Sequence, residues 1–120
     1  MSSHKGATYI VKPPAGSQGD GMNVFKELKD LPVSLENQDV VIQRYLDKPL
    51  LIDGLKFDLR VYIVVVGVDP MQAYLCDEGL ARFCTVPYQA PSRANFKNQF
   101  MHLTNYSINK MSDKYVRPTD

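Results

Sequence analysis

The sequence predicts an α+β fold made mainly of short antiparallel strands, and three observations carry that expectation. Apolar, β-branched runs of strand length recur along the chain, at 7–12, 40–43, 57–68 and 80–86. Turn-forming residues separate several of them, including Asp53-Gly54, Asp69-Pro70 and Asp77-Glu78-Gly79. Helical patterning is confined to short segments such as Lys26 to Leu31, which Pro32 would end. With 120 residues, 44% hydrophobic and 22% charged, the chain fits one globular domain.

Taken in order, Ala7 to Lys12 reads as a strand that Pro13-Pro14 stops. Ala15 to Gly21 holds three glycines and reads as a loop rich in free backbone N–H groups. Glycine lets such a backbone approach a phosphate closely and adopt positive φ. A plain surface turn would have the same composition. The loop matches neither a P-loop nor a dinucleotide fingerprint. Met22 to Phe25 can return as a second strand, closing a hairpin around the glycines. Ser34 to Asp39 reads as a polar loop, Val40 to Gln43 as a strand, and Leu50 to Ile52 as a short strand before Asp53-Gly54.

The stretch 57–68 is expected to be one long strand. Its alternation places Lys56, Asp58 and Arg60 on one face and Phe57, Leu59, Val61 and Ile63 on the other. The nearly continuous apolar run Val61 to Val66 predicts burial on both sides. Two cations and a carboxylate at the start of such a strand suit a polyanion in front of it. An edge strand with a solvated charged face is the plain alternative. Met71 to Cys76 and Leu80 to Val86 are expected to form a further hairpin, making 57–86 a meander. Ala94 to Phe100 reads as loop or a turn of helix, and Met101 to Lys110 as loop. Thr104, Asn105, Tyr106 and Ser107 stand there in a row, as a binding segment or as a turn built from side-chain hydrogen bonds.

The net charge of +1 gives no electrostatic case for nucleic acid or an anionic membrane as partner. Cys76 and Cys84 have no metal-ligand spacing, His102 has no partner at such spacing, and reduced thiols are expected. The longest apolar run is too short to span a bilayer, and the first six residues lack a signal-type apolar core. Residues 1–6 are expected to be a disordered start and 111–120 a flexible tail.

Six segments in order resemble the tubulin–tyrosine-ligase-like family. They are Ile10-Val11-Lys12-Pro13, Gln18-Gly19-Asp20-Gly21, Gln43-Arg44-Tyr45-Leu46, Lys56-Phe57-Asp58-Leu59-Arg60, Gly79-Leu80-Ala81-Arg82-Phe83 and His102-Leu103-Thr104-Asn105-Tyr106-Ser107. The match spans residues 7–110, and the glycine loop is closest to the polyglutamylase branch. The resemblance implies part of an ATP-grasp domain. It implies a ligase that uses ATP to join an amino acid, glutamate above all, to carboxylates of tubulin tails through an acyl phosphate.

By the same resemblance, Lys12 meets the α/β-phosphates, Gln18 and Gly19 cover the triphosphate, and Gln43, Arg44, Tyr45 and Leu46 form the adenine hinge, which meets the base largely through free backbone N–H and C=O groups at Tyr45-Leu46. Lys56 and Phe57 lie near the base, and Asp58 is a ribose- or phosphate-side contact. Arg60 contacts the γ-phosphate and shares the catalytic role with Lys12. Thr104 and Asn105 touch nucleotide. Arg82 pairs with the carboxylate of the incoming amino acid, and Tyr106 and Ser107 reach that amino acid. A guanidinium suits a planar carboxylate.

The family's Mg²⁺ ligands, an aspartate and a Glu-x-Asn pair, are not found here and are expected outside this chain. The chain is therefore expected to be a segment without ligase activity of its own. Tubulin tails or microtubules and free glutamate are the implied partners, and the cytoplasm and cytoskeleton, including cilium or basal body, the implied location. A non-catalytic nucleotide- or tubulin-binding module lacking the metal site is the alternative.

Overall fold

The computed structural model describes residues 6–13, 21–35 and 37–119. Residues 15–20 of the glycine-rich loop, Gln18 and Gly19 among them, and most of the predicted disordered start lie outside the described residues. Eight short strands and two single-turn helices make up the regular structure among them. They are β1 (Tyr9–Lys12), β2 (Asn23–Phe25), β3 (Val41–Arg44), β4 (Leu51–Ile52), β5 (Leu55–Arg60), β6 (Ile63–Val68), β7 (Met71–Leu75), β8 (Leu80–Phe83), α1 (Gln99–His102) and α2 (Tyr106–Asn109). Among the described residues every strand pair is antiparallel, in three sheets ordered β2-β1-β3, β4-β5-β8 and β6-β7.

The first sheet follows expectation at its ends and adds a partner. β1 stops at Lys12 and pairs β2, as Tyr9↔Phe25 and Ile10↔Val24, but its other edge takes β3, as Ile10↔Gln43 and Lys12↔Val41. Alternation places Ile10, Lys12, Gln43 and Tyr45 on one side of this sheet. The predicted helix over 26–31 shrinks to a 3₁₀ turn, Leu28–Asp30, and a second one, Val33–Leu35, interrupts the polar loop. The Glu27 and Asp30 side chains cap the first turn, and Arg93 ties both carboxylates to the far end of the chain.

The long strand expected over 57–68 is two strands in different sheets. β5 ends at Arg60; after Val61 and Tyr62, β6 begins and, among the described residues, pairs only β7. β8 pairs β5, with Phe57↔Phe83 and Asp58↔Arg82 opposite each other, so it forms no hairpin with β7. The β6–β7 hairpin is thus inserted between two neighbours, and 57–86 is not a meander. The predicted double-sided burial also fails: Ile63 is 64% and Val66 60% exposed. No described element lies over either face of that hairpin, and Leu59 on β5 is likewise exposed.

Two glycines set this geometry. Asp53 and Gly54 both have positive φ, at 52° and 74°, which the tight β4–β5 turn requires. Gly79 lies so close to β5 that a Cβ there would stand 2.6 Å from the Arg60 carbonyl oxygen. Only glycine permits that approach, and it lets β8 enter in register beside β5.

The core joins the first sheet to the C-terminal segment. Ile10, Val24, Tyr45, Phe96 and Leu103 form one buried cluster, with Met22, Tyr88 and Ile108 at its margin. Burying each such side chain stabilises by roughly 1.5–3 kcal/mol.

Candidate functional site

Where the first sheet, the start of β5 and the α1–α2 connection meet, they enclose a cleft of about 780 Å³. Lys12 closes β1 at its rim. Its Nζ donates to Gln43 Oε1 at 2.8 Å, a diagonal contact across β1 and β3 made possible by their shared face. Thr104 and Asn105 line the same cleft.

Beneath them lies a buried polar network. Lys56 Nζ donates to Tyr45 Oη at 3.0 Å and to the His102 carbonyl at 2.8 Å, and lies 4.5 Å from the centre of the Tyr45 ring. Tyr45 Oη meets His102 Nδ1 at 3.1 Å. His102 is 2% exposed and rests edge-on against Tyr45 and Tyr88. Burial raises the Tyr45 hydroxyl's pKa, so it remains a donor, and lowers those of Lys56 and His102.

A second knot sits one pleat further along β5. Arg82, opposite Asp58 on β8, donates from Nε to Oδ1 at 2.8 Å and from Nη2 to Oδ2. Thr104 Oγ1 adds a bond to Oδ2 at 2.9 Å. The Arg82 hydrogen bond leads in holding the Asp58 carboxyl below its usual pKa, with Thr104 also contributing. A bidentate guanidinium–carboxylate pair is geometrically fixed as well as charge-matched.

Asn109, 1% exposed, pins the segment between the helices. Its Oδ1 accepts from Thr85 N and Oγ1, and its Nδ2 donates to the carbonyls of Leu103 and Asn105. Cys84 Sγ also points at the Leu103 carbonyl, at 3.3 Å, and burial pushes its thiol up to about 11, so it stays protonated.

Of the residues singled out from sequence, Lys12, Gln43, Arg44, Tyr45, Leu46, Lys56, Phe57, Thr104 and Asn105 line this one cleft. Asp58 is joined to them through Thr104. Arg82 and Tyr106 line a neighbouring concavity of about 1040 Å³ that shares Thr104. Ser107 sits in α2, and Arg60, exposed on β5, lines neither space.

One expectation about the hinge is corrected. The Tyr45 N–H is not free for a ligand, because it donates to the Thr8 carbonyl at 2.9 Å and continues the β1–β3 ladder. The segment 106–109, read as loop, is a helical turn. Sequence reasoning gave no role to His102 or Asn109. A histidine in an otherwise apolar Met101-His102-Leu103 run was the available signal that this side chain is buried and hydrogen-bonded.

The cations and donors fit a polyanionic ligand: Lys12, Arg44, Lys48 and Lys56 line one cleft with Thr104, against one carboxylate, Asp47. Among the described residues, no three His, Cys, Asp or Glu side chains come together to hold a metal ion. Nor is any helix among them long and apolar enough to cross a membrane.

Comparison with known proteins finds similarity along most of the chain. The chain is 50% identical over 111 residues to the tubulin polyglutamylase TTLL11 of Mus musculus, covering 91% of this chain and 15% of that protein. It is 45% identical to the tubulin polyglutamylase ttll6 of Danio rerio, covering 97% of this chain and 14% of that protein. It is 49% identical to the tubulin polyglutamylase TTLL5 of Mus musculus, covering 93% and 8%. The chain thus spans about one seventh or less of the length of these relatives. The Tubulin-tyrosine ligase family matches residues 1–119, and the chain belongs to that family.

Proposed function

We propose that this chain is the nucleotide-holding segment of an ATP-dependent ligase that adds glutamate to carboxylates of tubulin. The observation that carries the reading is the convergence of Lys12, Lys56 and Thr104, from three separate parts of the chain, on one cleft. The tubulin polyglutamylases among its relatives support the choice of acceptor and amino acid.

In this reading Lys12 takes the α/β-phosphates, held in place by Gln43, and the backbone around Gln43 to Leu46 seats the adenine. When bound, ATP supplies the phosphoryl group that turns an acceptor carboxylate into an acyl phosphate open to attack by an amine. Fixed positive groups matter more than acid–base help while negative charge spreads over the transferring group. Arg60, on the same face of β5 as Asp58, would reach in from the rim. Arg82 gives two of its five N–H groups to Asp58 and keeps the others for the carboxylate of the incoming glutamate, beside Tyr106 and Ser107. Gln18 and Gly19 would close over the triphosphate, and Mg²⁺ would be held by ligands outside this chain.

Titration calorimetry with ATP tests the reading. Binding by the chain and its weakening by roughly ten- to a hundredfold in Lys12→Ala are expected, the worth of a charged hydrogen bond. ATP that does not bind, or binds Lys12→Ala as well as the unaltered chain, would overturn it.

A further inference from the structure

The buried network has a direction. Asn95 Oδ1 accepts from Ser92 N at 2.8 Å and Asn95 Nδ2 donates to the Ala90 carbonyl at 3.1 Å, which fixes that amide. His102 Nε2 therefore faces two oxygens, the Asn95 carbonyl at 3.1 Å and Asn95 Oδ1 at 3.3 Å. Only a protonated Nε2 satisfies them. In a neutral ring Nδ1 is then bare and accepts the Tyr45 hydroxyl. The Tyr45 oxygen is left with lone pairs for Lys56. With a second proton committed to the His102 carbonyl, the Lys56 ammonium has one N–H without a partner among the described residues, and Lys56 lines the cleft.

From this geometry we infer that His102 is a positioning residue whose neutral, Nε2-protonated ring holds Tyr45 so that Lys56 presents an N–H to an anion in the cleft. The inference rests on the nucleotide reading for the identity of that anion. A second proton on His102 would turn Nδ1 from acceptor into donor. The Tyr45 oxygen would then face two cationic donors, and Lys56 would be driven out of place. Acid should therefore loosen phosphate binding, although added positive charge alone would tighten it. The titratable groups packed around His102 are Tyr45 from just after β3, Lys56 from β5 and Tyr88 from the segment after β8. Burial favours the neutral ring, as does the nearby Lys56 charge.

The test compares the chain with His102→Gln, whose amide can donate to Asn95 and accept from Tyr45 but does not titrate. ATP affinity is measured by calorimetry from about pH 8 to about pH 5.5, spanning histidine titration. Nitrogen NMR reads the His102 tautomer and the Lys56 ammonium signal. The expected results are a bare Nδ1 at neutral pH and a loss of affinity on acidification at least about tenfold greater than in His102→Gln. Tyr45→Phe, which cuts the link but keeps the ring, should lose the difference too and serves if the glutamine variant does not fold. A protonated Nδ1 in the neutral ring, or parallel pH profiles in all three chains, would overturn the inference. If the unaltered chain binds no ATP at any pH, the nucleotide reading has failed. The role of His102 is then read from Lys56: an ammonium signal that disappears as His102 titrates supports it, and one that does not respond overturns it.

Discussion

Two stretches of similar length occupy opposite environments. Ile63–Val68 is aliphatic apart from one glycine, and every residue but Gly67 is exposed. His102 to Asn109 contains histidine, threonine, tyrosine, serine and two asparagines, yet His102, Leu103 and Asn109 are buried and most of the rest half-buried. The polar stretch can go inside because its donors and acceptors meet partners from Tyr45 after β3, from β5 and from the strand end around Thr85. The apolar one stays outside because β6 and β7 pair with each other and no described element packs on them. Burial here follows the supply of partners, and hydropathy alone ranks the two regions in the wrong order.

The sharpest way to test this contrast is to cut the polar stretch where it is most connected. Asn109→Ala leaves the Thr85 N–H and the Leu103 and Asn105 carbonyls without that amide, and a loss of about 3 kcal/mol or more is expected in urea unfolding. A loss below about 1 kcal/mol would show that these bonds are replaced by solvent.

Acid probes the same region more gently. The folded pKa of His102 lies below its ordinary 6.5, so below pH 6.5 the unfolded chain binds the extra proton first. Stability is full above 6.5 and should fall, by at most about 1.4 kcal/mol per pH unit from this group, as the pH drops toward the folded pKa. In His102→Gln that component of the slope should be absent.

The smallest effect belongs to the exposed ribbon. Val64→Thr, a hydroxyl on a β-compatible frame, should change stability by less than about 0.5 kcal/mol. A larger cost would mean that something covers this face in solution.

Much of the site was legible because it depends on local periodicity. Alternation alone placed Lys56 and Asp58 on one face, and strand-stopping prolines placed Lys12 at a strand end. Strand pairing was less legible. Nothing local says that β8 skips β7 to join β5, since that choice rests on Gly79 passing close beside the Arg60 carbonyl and on Asp58 meeting Arg82. The roles of His102 and Asn109 were hidden for a related reason. Their partners are supplied from as far as 57 positions away, and a buried polar side chain reads in sequence like an exposed one until those partners are known.

The hydrogen atom that serves as a side chain at position 79 has a reach beyond its own turn. A methyl group in its place would force β5 and β8 apart and take the guanidinium on one away from the carboxylate on the other. The spacing of two charges near the proposed glutamate site is thus governed by a residue that carries none and touches neither.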